Sequence, residues 1–463
     1  MSLIDTIAAV STPYGKGGIA VLRISGRDAI AVAERVFLPK SKKALSQYEA
    51  NRAVYGSLFG YKNGEKIQID DGIAVLFRAP SSFTGEDTVE ISCHGGILLT
   101  QRVLESILTS GARFAEAGEF TRRAFVNGKM TLTGAEALGE LLSASTDDQI
   151  TLARSGLEGR LSAEAQKIYG SLCDVLAAIY AHIDYPDEDL ADIPREEMLE
   201  VAQRNLSALE GLSKTYSTAH AIGEGIPTVI LGRTNAGKST LYNRIVGREA
   251  AIVTDIEGTT RDVLTETAHL GRVALRLSDT AGLRDTADKV ESIGIERARR
   301  EAENAELILF VIDGSREIDE EDRATVEYIG SLDGVKVALI NKSDLGINDK
   351  AMSLLSSFSL VLPISAESGD GFDKLECEIE KIYVDNELDI GQSAMIANAR
   401  QNSAVKNSIT ALSGAISAIE SDLPLEICCV EVENALSALG ELDGRTVTED
   451  IVSKIFANFC VGK

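Results

Sequence analysis

Eight consecutive residues, Gly232-Arg233-Thr234-Asn235-Ala236-Gly237-Lys238-Ser239, have the spacing G-x-x-x-x-G-K-[ST]. They directly follow the apolar run Pro227-Thr228-Val229-Ile230-Leu231, and Thr240-Leu241-Tyr242-Asn243-Arg244-Ile245 continues with helix-like spacing. Strand, glycine loop and helix in that order are the context a phosphate cradle needs. Glycines let the chain turn its N–H groups onto an anion at a helix N-terminus, Lys238 reaches β- and γ-phosphates, and the Ser239 hydroxyl can ligate Mg2+. The candidate phosphate-side residues are Asn235, Ala236, Gly237, Lys238, Ser239 and Thr240.

Downstream, Thr254-Asp255-Ile256-Glu257-Gly258-Thr259-Thr260 is polar and turn-rich, suited to a switch loop in which Thr260 adds a second Mg2+ ligand. The run 273–278 then leads into Asp279-Thr280-Ala281-Gly282. A carboxylate at a strand end can hold hydrated Mg2+, and Gly282 offers an N–H toward the γ-phosphate. Base choice comes from Asn341-Lys342-Ser343-Asp344, after the apolar strand 335–340. The Asp344 carboxylate accepts from guanine N1–H and the 2-amino group, whereas adenine would leave it unpaired at a cost of a few kcal/mol. Ser365-Ala366-Glu367, after Leu362-Pro363-Ile364, supplies the backbone donor for the guanine oxygen, with Ser365 and Ala366 as candidate binding residues. These motifs in this order on alternating strands specify GTP as the ligand.

Leu283 occupies the position after Asp-x-x-Gly, where Ras-like GTPases carry the glutamine that orients the attacking water. Hydrolysis therefore needs another device. Asn235 is placed to help ligate a monovalent cation beside the phosphates, and K+ there would neutralise developing charge as an arginine finger does. Glu291 is a candidate to position water, and equally a solvated carboxylate.

These residues need elements to hold them. At 463 residues the chain has room for about three domains. Hydrophobic residues at 44% with 25% charged describe a folded chain with ample core, not a disordered one. Lys+Arg 46 against Asp+Glu 71 leaves a net charge of −25, which repels polyanions on average, so any nucleic-acid contact must be local. Met1-Ser2-Leu3-Ile4-Asp5-Thr6 carries an acid and no basic region, and apolar runs such as 307–312 are too short to span a bilayer. A cytoplasmic protein with no membrane partner is expected. The six cysteines form neither a C-x-x-C pair nor a zinc pattern. Cys93, Cys173, Cys377, Cys428 and Cys429 are expected to act as small hydrophobes.

Strand patterns at 6–10, 18–24, 72–77 and 88–92, with helical patterns at 28–37 and 96–110, predict an N-terminal α+β domain over 1–120. Amphipathic helices are predicted at 132–145, 149–181 and 196–216, and again at 394–421 and 425–458. The expected fold class is α/β plus α. A discontinuous helical-bundle domain is built from 121–218 and 380–463, and a Ras-like P-loop GTPase domain over 219–379 is inserted in one of its connections.

Over essentially its full length the chain resembles the MnmE (TrmE) family of tRNA-modification GTPases. The resemblance rests on Thr12-Pro13-Tyr14-Gly15-Lys16-Gly17-Gly18, Leu22-Arg23-Ile24-Ser25-Gly26 and Ser82-Phe83-Thr84-Gly85-Glu86-Asp87 with His94-Gly95-Gly96. It extends through Gly118-Glu119-Phe120-Thr121-Arg122-Arg123 to Lys129, the inserted GTPase motifs and the terminal Phe459-Cys460-Val461-Gly462-Lys463. Thr234 replaces the family's proline in the phosphate loop and Val461 its terminal isoleucine; neither change touches a chemical group.

The resemblance implies a homodimer that works with MnmG, an FAD- and NADH-using partner, in a heterotetramer or larger complex. Together they would install an aminomethyl or carboxymethylaminomethyl group at C5 of the wobble uridine of tRNA. The one-carbon unit would come from 5-formyl- or methylene-tetrahydrofolate in the N-terminal domain, through Arg23, Glu90, Lys129 and Lys463. A pterin edge suits a carboxylate and the folate tail wants cations, but on the residues alone a surface arginine and a frayed terminal lysine are the plainer readings. The family's K+ pocket maps onto Asn235, Thr254, Ile256 and Thr259, with GTPase domains pairing across the dimer and Glu291 positioning the water. The family also gives Cys460 a catalytic role beside Lys463, where the residues alone allow a buried hydrophobe. Lys16, Arg27, Lys40, Lys42, Lys43, Arg122, Arg123 and Lys129 make the N-terminal region locally basic, a limited surface for tRNA.

Two other readings compete. One is an Era-like GTPase switch that binds rRNA in ribosome assembly, which would call for a basic RNA-binding module such as KH; the sequence shows none. The other is a folate-dependent enzyme that uses its GTPase only for regulation.

Overall fold

The computed structural model describes residues 5–62, 65–184, 195–247, 265–278, 300–457, 459 and 461–462. The chain divides into two compact units. The first comprises Met1–Leu142, Leu157–Ala177 and Cys429–Lys463, the second Ser143–Gly156 and Ala178–Cys428.

In the first unit, strands β1 (Ile7–Val10), β2 (Ile19–Ser25), β3 (Phe37–Pro39), β4 (Ala53–Lys62), β5 (Glu65–Phe77), β6 (Thr88–His94) and β7 (Arg113–Phe114) form one sheet. Their order is β3-β4-β5-β6-β2-β1-β7. All pairings are antiparallel except β1 with β7. Side chains alternate across the sheet. Leu22, Ile24, Leu58, Leu76 and Ile91 point to one face and pack on Val32 and Val36 of α1 (Ala29–Val36) and Val103 and Ile107 of α2 (Ile97–Thr109). Burying each such side chain contributes roughly 1.5–3 kcal/mol. The alternate positions of β2 and β6 put Arg23 opposite Glu90 on the other face. Helix α3 (Glu119–Val126) carries the Thr121-Arg122-Arg123 segment, and Phe125 packs on Phe456 at 6.2 Å between ring centroids.

The helical pattern of residues 149–181 is not one helix. It divides into α5 (Asp147–Leu157) and α6 (Arg160–Asp184), because Gly159 takes φ +73°, which ends a helical turn. The pattern at 425–458 likewise divides into helices Leu425–Asp443 and Glu449–Ala457 around Gly444. The helix predicted at 394–421 begins later, at Ala399, where the Asn398 side chain accepts from the Gln401 N–H and caps it. Helix α4 spans Leu132–Ser143, and α7 runs Arg195–Ile222, six residues past the predicted end. Strand β4 carries aromatic and glycine residues with no clean alternation, and the sequence pattern does not reveal it.

The second unit holds a six-stranded sheet of β8 (Ile226–Gly232), β9 (Thr265–Leu270), β10 (Val273–Ser278), β11 (Leu307–Asp313), β12 (Val335–Asn341) and β13 (Leu360–Pro363). Its order is β13-β12-β11-β8-β10-β9; β9 alone runs antiparallel. Every residue of β11 is buried. Leu307, Leu309 and Val311 pack on one side, and Ile308, Phe310 and Ile312 on the other. Burial on both faces explains why the strand reads as an unbroken apolar run. With β8 in the middle of a parallel sheet, the loop after it opens at the carboxyl end of the strands, where such sheets bind ligands.

Candidate functional site

The phosphate loop runs from Gly232 into helix α8 (Lys238–Gly247). Asn235 sits at φ +64° and Gly237 at φ +99°, so the backbone turns over on itself before the helix starts. A Cβ at Gly237 would lie 2.0 Å from Asn341 Nδ2, so only glycine fits there. Asn341, 3% exposed at the end of β12, uses its one amide on two loops. Nδ2 donates to the Ala236 carbonyl at 2.8 Å, and Oδ1 accepts from the Ala366 N–H at 2.9 Å. A single neutral side chain thus joins the phosphate loop to the expected base loop.

Lys238 Nζ donates to the Arg233 carbonyl at 2.8 Å, and burial pushes its ammonium below the ordinary lysine value. A buried cation at a helix N-terminus fits a phosphate group, whose negative charge would offset that shift. The Ser239 and Thr240 side chains are exposed at the same helix start. Ser239 would hold Mg2+ there.

On the base side, Lys342 takes a left-handed backbone at φ +61° and its Nζ donates to Asp313 Oδ2 at 2.6 Å. Burial alone would raise Asp313, but Lys342 and Ser315 together hold its carboxyl below the usual range. Ser343 N–H bonds to the Ile364 carbonyl at 3.1 Å, which keeps the exposed Asp344 beside β13. Ser365 and Ala366 are buried, and Ser365 N–H bonds to the Asp370 carbonyl at 3.0 Å. The structure therefore brings Asn235 through Thr240 together with Asn341, Lys342, Asp344, Ser365 and Ala366. Thr254, Asp255, Ile256, Glu257, Gly258, Thr259, Thr260, Asp279, Thr280, Ala281, Gly282, Leu283, Glu291, Cys460 and Lys463 lie outside the described residues.

In the first unit, Arg23 Nε and Nη2 both donate to Glu90 Oε1, at 2.9 and 2.8 Å, across the β2–β6 pair. The Arg23 guanidinium carbon lies 5.2 Å from the Phe83 ring centroid and 5.6 Å from that of Phe120. The pair is therefore built into the sheet. Neither bond takes Glu90 Oε2, so the carboxylate keeps acceptor capacity for a donor edge such as a pterin's. Lys129 is exposed and donates to the Pro80 carbonyl at 2.9 Å, on the loop that carries Phe83.

Arg123 does not belong to a basic surface. It is 1% exposed and its charge is spent on Asp5 Oδ1 at 2.7 Å, Glu119 Oε1 at 2.9 Å and Glu86 at 3.2 Å. Arg113 shares Asp5 and Glu119 at 2.7 Å each. A buried guanidinium must be paired, and pairing cancels the field it would offer a polyanion. Arg122 is tied to Glu449 and Lys40 to Asp71, while Lys16, Arg27, Lys42 and Lys43 are exposed. Sequence patterns give Asp5, Asp313 and Arg244 no role, and Glu119 none beyond its place in a family motif, because charged residues look alike until the fold brings their partners. Cys377 is exposed and Cys173 half-buried, unlike the buried Cys93, Cys428 and Cys429; the apolar role expected of all five holds for three.

The family profile described as MnmE helical domain matches residues 132–460, and that described as GTP-binding protein TrmE N-terminus matches residues 6–129. The tRNA modification GTPase MnmE of Clostridioides difficile (strain 630) is 37% identical over 465 residues, covering 100% of both chains. The proteins of that name from Alkaliphilus oremlandii (strain OhILAs) and Geobacillus kaustophilus (strain HTA426) are each 38% identical, again over 100% of both chains.

Proposed function

The chain belongs to the MnmE family of tRNA modification GTPases, and on that premise we propose that it is a K+-activated GTP hydrolase that drives wobble-uridine modification in tRNA. The observation that carries the nucleotide half is the Asn341 amide, which holds the phosphate loop and the base loop in one rigid frame. Asp344 would read guanine N1–H and the 2-amino group, and the backbone of 365–367 would read the C6 oxygen. Lys238 would meet the β- and γ-phosphates, with Ser239 and Thr260 on Mg2+. Mg2+ and K+ supply charge neutralisation at the phosphates when bound. Asn235, exposed at the turn, would offer its amide oxygen to K+ together with Thr254, Ile256 and Thr259. Glu291 would orient the attacking water that Leu283 cannot.

The modification half rests on the Arg23–Glu90 pair. Glu90 would accept from the pterin edge, and Arg23, Lys129 and Lys463 would meet the anionic tail of tetrahydrofolate, which supplies the one-carbon unit. Cys460 would act beside that site. The domain boundaries at 120, 218 and 379, the homodimer, the MnmG partnership with its FAD and NADH, and a cytoplasmic location complete the proposal. Among the described residues no helix is long and apolar enough to cross a membrane. Family membership favours this reading over an rRNA-binding switch.

Steady-state GTP hydrolysis in K+ and in Na+ at equal ionic strength tests it. Marked stimulation by K+ that disappears in Asn235→Ala is expected. Equal rates in the two salts would overturn the cation-assisted mechanism.

A further inference from the structure

We infer that Arg244 is a positioning residue for guanine, holding the loop 365–367 against the base from the helix that begins under the phosphates. The inference rests on the proposed reading of 365–367 as the loop that meets the C6 oxygen. Arg244 Nε donates to the Ala366 carbonyl at 2.6 Å, and Nη2 donates to the next carbonyl, that of Glu367. Its guanidinium carbon lies 5.7 Å from the Phe372 ring centroid. Gly369 leaves the space the side chain needs, since a Cβ there would sit 2.5 Å from Arg244 Nη1.

Residue 366 is therefore gripped at both of its polar groups. Asn341 takes the N–H and Arg244 takes the C=O. A planar guanidinium fork suits two successive carbonyls in a way that a point-charge ammonium does not. Arg244 stands six positions after Lys238 on α8, so one helix touches the phosphate end and, about 9 Å further on, the base loop. Loss of Arg244 should free the 365–367 backbone and weaken the contact at the C6 oxygen. The phosphate contacts and Asp344, which are held by other partners, should persist.

The test uses full-length wild type, Arg244→Ala and Arg244→Lys, each confirmed folded by thermal melting. Affinities are measured by calorimetry for GDP, for IDP, which lacks only the 2-amino group, and for 6-thio-GDP, whose sulfur is a poor acceptor at C6. Arg244→Ala is expected to weaken GDP about tenfold and to shrink the preference for GDP over 6-thio-GDP by a similar factor, while the GDP-over-IDP preference stays within about twofold. Arg244→Lys should recover part of the loss. Unchanged GDP affinity in folded Arg244→Ala, or collapse of both preferences together, overturns the role of Arg244. A wild type with no preference for GDP over 6-thio-GDP would instead overturn the base-loop reading, and the inference with it. Should the alanine variant fail to fold, Arg244→Gln takes its place under the same criteria.

Discussion

Arg123 in the first unit and Asn341 in the second are both almost wholly buried polar residues that join distant segments, at 1% and 3% exposure. Arg123 does so with charge, and Asn341 without it. Around Arg123, two guanidiniums, its own and that of Arg113, face three carboxylates, Asp5, Glu86 and Glu119. Around Asn341 the partners are main-chain groups of Ala236 and Ala366. The difference follows from what each region must receive. A carboxylate in the place of Asn341 would repel the phosphates, whereas the carboxylates that do meet the loop, Asp319 and Glu321, are both paired with Arg233 at its start. A buried corner such as that around Arg123 can use ion pairs, provided every charge has a partner.

Four measurements separate charged from neutral bracing. The largest effect is expected for Arg123→Met, which takes the guanidinium from Glu86 and one of two guanidiniums from Asp5 and Glu119, and should cost about 3–5 kcal/mol in urea unfolding followed by circular dichroism. GDP affinity should stay within about twofold. A loss below about 1 kcal/mol would mean that the charges at this corner are not structurally coupled.

Next, Asn341→Ala strands the Ala236 carbonyl and the Ala366 N–H, each at a cost of about 1–3 kcal/mol. GDP affinity by calorimetry should fall at least about 100-fold. Retained affinity would show that the two loops hold their places unaided.

The third effect is acid sensitivity. Asp5 is held below its ordinary value first by the hydrogen bond from Arg113 and then by Arg123. Glu119 is held below its own despite burial, which alone would raise it, by Arg113, the Glu116 N–H and Arg123. Carboxyls lowered in the folded state add stability that is present above the unfolded carboxyl pKa, about 4, and is lost as pH falls below it. The urea midpoint should therefore drop between about pH 5 and pH 3, and Glu119→Gln should make that drop shallower. An identical acid limb in the variant would remove Glu119 from the account.

The smallest effect is expected for Lys40→Ala. Its pair with Asp71 is 3.1 Å long but half exposed, so the urea midpoint in the same assay should barely move. A loss near that of Arg123→Met would erase the distinction between buried and surface charge.

The strand, loop and helix around Lys238 were legible in the chain because their parts are local. The run 227–231 is a buried strand, Gly237 supplies the positive φ, and Lys238 starts the helix, all within about a dozen residues. Short-range geometry of this kind follows from residue type and spacing. The divided helices were half legible: the glycines at 159 and 444 stood in plain sight, but an apolar period of three and four continues across them. Strand β4 was hidden, since its aromatic and glycine residues make sense only once β3 and β5 flank it.

Residue type and spacing were enough for the GTP motifs, the α/β and helical character of the main stretches and the resemblance that family comparison bears out. Tertiary structure alone decided that Arg123 is an internal charge rather than a tRNA contact, that Arg23 lies against Glu90, Phe83 and Phe120, and that Arg244 reaches two carbonyls more than 120 positions away. The reason is physical. Backbone preference and turn chemistry act over a few residues, whereas the worth of a charged side chain depends on its burial and its partners, which only the closed fold supplies.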